Sequence, residues 1–80
     1  MSDRFPRGAP KAQVIRALSA CGFQLVREGN HLALSRTNAD GSKTLLTMPN
    51  HLVIKGGTLR RICSQSGIDR EGFLSAYKKA

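Results

Sequence analysis

Apolar residues first recur at helical spacing. Val14, Ile15, Leu18 and Cys21 fall three and four positions apart, the pattern of one helix face. Pro10 suits the first turn, where a missing N–H costs nothing. Gly22 is a stop signal that tolerates left-handed backbone. The period then drops to two. Phe23 and Leu25 alternate with Gln24, Val26 blurs the alternation, and Arg27 closes a first strand over 23–27. Glu28-Gly29-Asn30 is turn chemistry, with Gly and Asn able to take positive φ. In His31 to Thr37, Leu32, Leu34 and Arg36 share one face of a second strand, and His31, Ala33 and Ser35 share the other. The leucines mark the core side, so His31 projects to the solvated face or its edge. Asn38-Ala39-Asp40-Gly41 predicts a tight hairpin. Lys43 to Met48 makes a third strand, with Thr44, Leu46 and Met48 alternating against Leu45 and Thr47, and Pro49 ends it.

Asn50 to Gly56 reads as a loop. Thr58 is placed to cap a helix running to Ser66, with Leu59, Ile62 and Cys63 on one side and Gly67 as its stop. Asp69 can cap a last short helix, with Glu71 in its first turn and Phe73, Leu74 and Tyr77 turned inward. Gly72 counts against that helix. The predicted order is α-β-β-β-α with an extra C-terminal helix. That is an α+β class: a three-stranded antiparallel sheet with its helices on one face and a polar outer face. It is the layout of a double-stranded-RNA-binding-like (dsRBD-like) domain. Residues 1–9 carry Pro6, Gly8 and two arginines without periodicity and read as a flexible basic lead-in, leaving residues 10–80 as a single domain. A chain of 80 residues buries a limited core, which speaks against large pockets and bulky cofactors.

Charge narrows the partners. The net charge of +8 calls for a polyanion: nucleic acid, an anionic membrane surface or an acidic protein. No apolar run approaches the roughly 20 residues that span a bilayer. The first residues lack the hydrophobic stretch of a secretory signal, so a cytoplasmic location and no membrane partner are expected. Cys21 and Cys63 are the only cysteines; both fall on apolar helix sides and read as core residues. No Cys-x-x-Cys pair and no clustered carboxylates appear, so neither a metal nor another cofactor is expected. Phe23, Phe73 and Tyr77 fit core positions and do not make a base-stacking platform, which favours recognition of RNA shape or backbone.

Several stretches taken in order are similar to a known family. Gly22-Phe23 joins the first helix to the first strand. Arg27-Glu28-Gly29-Asn30-His31 resembles a Gly-Ser-His segment. Met48-Pro49-Asn50-His51, with Ile54-Lys55-Gly56-Gly57-Thr58-Leu59-Arg60, resembles a Val-Pro-x-His and Gly-Thr-Leu-Arg segment. Gly67-Ile68-Asp69-Arg70-Glu71 with Phe73-Leu74 continues the likeness. The chain thereby resembles, over roughly residues 11–75, the HicA family of bacterial toxins, mRNA interferases paired with a HicB antitoxin. The resemblance implies endoribonuclease activity, a catalytic role for His31, a dsRBD-like fold and a HicB-type antitoxin partner. Two positions depart from the pattern: the family serine is Asn30 here, and Leu32 stands where many relatives carry a second histidine. Asn30 also hydrogen-bonds and can take over orientation of the imidazole. If the second histidine contributes chemistry, its loss lowers activity or leaves RNA binding alone.

The residues fit that chemistry independently. RNA is cut when its 2′-hydroxyl attacks the adjacent phosphate, and a histidine can take or give the proton. Arginine and lysine stabilise the added charge. His31 is the candidate general acid or base. Candidate RNA contacts are Arg27, Asn30, Arg36, Lys43, His51, Lys55, Thr58, Arg60 and Arg61; between residues 27 and 61 only Glu28 and Asp40 oppose the cations. His51 is either a second proton-transfer group or phosphate contact, or a loop histidine that fixes its turn. Thr58 and neighbouring N–H groups at a helix start add an anion site. Three readings follow: a toxin ribonuclease acting on mRNA, a non-catalytic RNA-binding module, and a protein whose basic face docks an acidic antitoxin. The first and third are compatible.

Overall fold

A computed structural model describes residues 5–80 of the chain. The elements run β1 (Gly8–Pro10), α1 (Lys11–Ala20), β2 (Gln24–Arg27), β3 (His31–Thr37), β4 (Lys43–Pro49), β5 (Val53–Lys55), α2 (Gly56–Ser66) and α3 (Arg70–Lys79). Strands β2, β3 and β4 form the antiparallel meander expected from the period-two pattern. One face of it buries Leu32, Leu34, Leu46 and Met48, which join Val14, Leu18, Leu59, Ile62, Phe73 and Leu74 from the helices in a common core. The layout is therefore α+β with the helices covering one face. Among the described residues no helix is long and apolar enough to cross a membrane.

Local chemistry accounts for the element ends. Gly22 (φ +96°) and Gly67 (φ +75°) take the left-handed backbone that ends α1 and α2. Asp69 caps α3, its carboxylate accepting from the Gly72 N–H at 2.9 Å. Ser66 is fully buried, yet its hydroxyl donates to the Cys63 carbonyl at 2.6 Å and accepts from the Ile68 N–H at 3.1 Å. Burial pushes the Cys63 thiol up, which keeps it protonated and inert as a core residue.

Four expectations are corrected. The lead-in expected over residues 1–9 is partly a strand: Gly8–Pro10 pair antiparallel with Val53–Lys55, and Ala9 is fully buried opposite Ile54. Residues 1–4 lie outside the described residues. The loop expected over 50–56 likewise contains β5. Both strands are only three residues long, too short to show alternation, and they bond to each other across the fold. Thr58 does not cap α2: the helix starts two residues earlier, with Lys55 at the N-cap. Finally, the Glu28–Asn30 turn closes without left-handed backbone. A bulge at Val26 precedes it, where the register steps from Leu25–Leu34 to Arg27–Ala33.

Gly56 marks how closely the N-terminal segment docks. Its N–H donates to the Arg7 carbonyl at 2.9 Å, and a Cβ there would sit 2.8 Å from the Pro6 carbonyl oxygen. Gly56→Ala is expected to cost about 1–3 kcal/mol by overpacking against backbone. A urea melt checks it, and an unchanged midpoint would mean that the Pro6–Arg7 segment before β1 is not held against the start of α2.

Candidate functional site

The β3 pleat separates two neighbours. His31 is exposed, opposite Pro49 of β4, whereas Leu32 points into the core at 2 % exposure, opposite Met48. Position 32 is thus a packing position, and a histidine there would face away from His31.

The turn that delivers His31 is held from across the sheet by Asn50. Its main-chain N–H donates to the Asn30 carbonyl at 3.2 Å and its side-chain amide to the Gly29 carbonyl at 2.8 Å. Its Oδ1 accepts from Lys11 Nζ at 2.6 Å. One side chain so joins the start of α1, the end of β4 and the turn before His31. Asn50→Ala is expected to lower stability by about 1 kcal/mol and to loosen residues 29–31. Hydrogen exchange at His31 and Leu32 amides checks this, with Asn50→Asp as the variant that keeps the Lys11 contact.

His31 lies where two hollows meet. The first, about 250 Å³, lies between the end of β4 and α2; Thr47, Pro49, Thr58, Arg61 and Gln65 border it with His31. The second, about 410 Å³, spreads over the outer sheet face between Arg27, Asn30, Ala33 and Thr47. His31 and Thr47 border both, with Arg61 at the first hollow and Arg27 at the second. Thr58, Arg61 and Gln65 stand one and two turns apart on α2, the spacing of a single helix stripe. Arg60, one position from Arg61, is rotated off that stripe, and its guanidinium lies 6.0 Å from the Phe5 ring centre.

The other candidates are scattered. Lys43 is at the far end of β4 opposite Thr37, in a separate depression with Gln24 and Val26. Lys55 is exposed opposite Gly8, and His51 is exposed in the loop between β4 and β5. Arg36 serves the fold. Its guanidinium stacks 5.0 Å from the Phe23 ring centre, donates to the Ser66 carbonyl at 3.2 Å and reaches Asn38 Oδ1 at 3.2 Å. It shares the core side with Leu32 and Leu34, so its charge is directed away from both hollows. Asp40 is also far from His31, at the β3–β4 hairpin tip, where hydrogen bonds from the Ser42 hydroxyl and N–H hold its carboxyl below the usual range.

Of the nine RNA contacts expected, Arg27, Asn30, Thr58 and Arg61 thus gather around His31. Sequence reasoning passed over Gln65 and Asn50. Gln65 was reachable by counting helical turns from Thr58 and Arg61. Asn50 offers no such signal, because its partners lie 21 and 39 positions away. The chain matches the family model described as HicA toxin of bacterial toxin-antitoxin over residues 12–68. No curated protein and no solved structure matches it.

Proposed function

This chain belongs to the HicA toxin family of bacterial toxin–antitoxin systems, and on that premise we propose that it is a metal-independent endoribonuclease that cuts mRNA in the cytoplasm and stops translation. The supporting observation is that His31 borders two hollows, one of which has Arg27 at its edge and the other Arg61.

In the proposed reaction the RNA 2′-oxygen attacks the adjacent phosphorus. An O2′–P bond forms, the P–O5′ bond breaks, and the electron pair leaves with O5′. The imidazole of His31 takes the proton from the 2′-hydroxyl while water protonates O5′, or gives its proton to O5′ while water takes the one from the 2′-hydroxyl. Arg27 and Arg61 neutralise the charge that builds on the phosphoryl oxygens. Asn30 borders the second hollow beside His31 and is available to orient it. Among the described residues no three of His, Cys, Asp or Glu lie close enough to hold a metal ion. Family membership implies an antitoxin partner; the proposal is that it is a HicB-type protein whose acidic surface covers these basic hollows.

Incubating the protein with a long mRNA in chelator, with products resolved on a gel, tests the reading. Discrete fragments are expected. Binding without cutting would instead establish the non-catalytic RNA-binding module. Salt supplies a second check. For about three phosphate contacts, raising salt from 50 to 200 mM is expected to weaken RNA binding roughly 10- to 20-fold. Salt-insensitive binding would contradict the electrostatic reading.

A further inference from the structure

We propose that Lys11 and Asn50 are positioning residues for His31: Lys11 fixes the orientation of the Asn50 amide, and that amide holds the turn from which the imidazole projects. The proposal rests on the reading of His31 as the proton-transfer group and adds to it the contacts that keep that group in place.

The sheet leaves one side of His31 without a strand. β2 pairs with β3 only as far as Arg27–Ala33, two residues short of His31. The turn between them is anchored instead by Asn50, which binds both the Gly29 and the Asn30 carbonyls. An asparagine amide can turn over and exchange its oxygen with its nitrogen. Only one of the two orientations donates to the Gly29 carbonyl. Lys11 selects it, because an ammonium only donates and so takes Oδ1. The contact, at 2.6 Å, has the shortness of a bond from a charged donor. Local preference does not put a lysine here. Lys11 is the first residue of α1, where the helix dipole disfavours a cation, and no acidic residue stands in that turn. Departures from such local rules are expected where function requires them. The ammonium also starts from a fixed point, since the Lys11 main-chain N–H donates to the Leu52 carbonyl at 2.9 Å. Lys11 and Asn50 are both half-buried, whereas His31 is exposed. The support is thus set back from the surface that RNA meets.

The test separates placement of His31 from stability. Single-turnover cleavage of mRNA gives a rate and a half-saturating RNA concentration for the parent, Lys11→Met, Lys11→Arg and Asn50→Asp, each below its melting temperature. Lys11→Met removes the ammonium and keeps most of the stem. Asn50→Asp keeps the acceptor for Lys11 and loses the donor to Gly29. Both are expected to cut about tenfold more slowly, within the roughly 10²-fold that an ångström of misplacement costs, with half-saturation moved by less than about threefold. Lys11→Arg still donates to Oδ1 and is expected to recover most of the rate. Should Lys11→Met fail to fold, Asn50→Asp decides. A lower melting temperature with an unchanged rate marks a structural pair and overturns the proposal. So does a raised half-saturating concentration with an unchanged rate, which makes Lys11 a phosphate contact, or a Lys11→Met defect that Lys11→Arg does not recover. Hydrogen exchange at the His31 and Leu32 amides needs no cleavage. It is expected to quicken in Lys11→Met and Asn50→Asp and to match the parent in Lys11→Arg. If the parent cuts no mRNA while exchange follows this pattern, the positioning pair stands and only the ribonuclease reading falls. Exchange unchanged in both variants overturns the pair itself.

Discussion

Replacing His31 by alanine is expected to lower RNA cleavage by about 10²- to 10⁴-fold, the contribution of a positioned general acid or base. The same change is expected to shift stability by no more than about 0.5 kcal/mol, because an exposed side chain leaves no cavity behind. His31 makes its case by place rather than by packing: it is exposed at the start of β3, and it borders both hollows. The decisive measurement pairs a cleavage time course with a urea melt of the same preparation. Loss of cutting with an unchanged midpoint assigns the chemistry to His31. Cutting retained by a folded His31→Ala protein would sink that assignment and turn attention to His51, the only other histidine. Its exposed loop position, and its absence from either hollow bordered by His31, make His51→Ala the weaker variant of the pair.

The adjacent position gives the opposite outcome. Leu32→Ala removes a side chain that is 2 % exposed and packed with Met48 across the β3–β4 pair. The expected cost is about 2–5 kcal/mol, the transfer term plus the cavity left behind. A domain of this size has a total stability of only about 4–12 kcal/mol, so the variant is expected to lose a large share of it, to unfold at a markedly lower temperature and to lose activity where it unfolds. Leu32→Met conserves volume, is expected to cost less than about 1.5 kcal/mol and so retains activity. Thermal unfolding of the two variants separates the cases. A fully folded but inactive Leu32→Ala protein would show that position 32 serves catalysis directly, against its inward orientation. One step along the strand thus changes the expected outcome: the residue on one face is exposed beside the two hollows and the next holds the sheet.

That alternation was legible from residue types alone. Leucines at 32 and 34, with Leu46 and Met48 on the next strand, specify which face is buried, because a strand repeats every two residues and water excludes one side. The meander, the two glycine stops and the Asp69 cap follow from equally local rules. The Val26 irregularity was visible too, as a break in alternation, and proved to be the bulge that precedes the turn before His31. Arg36 was misread for a related reason. Its charge marks it as a ligand for phosphate, yet its parity puts it on the core side, where Phe23 and the end of α2 occupy it.

What the chain's order of residues determined by itself, then, is the three-stranded meander, the three helices, their buried faces and the exposure of His31. These depend on spacings of two to four residues and on turn chemistry, which act within a few positions. The tertiary structure alone decided which cations stand beside His31, because that depends on how α2 lies along β4 and how the sheet turns over Thr47. It also decided the β1–β5 pair and the Asn50 bridge, whose partners are remote in the chain. A hydrogen bond across tens of residues leaves no periodic trace, since it is selected by the packing of the whole core and not by its neighbours in sequence.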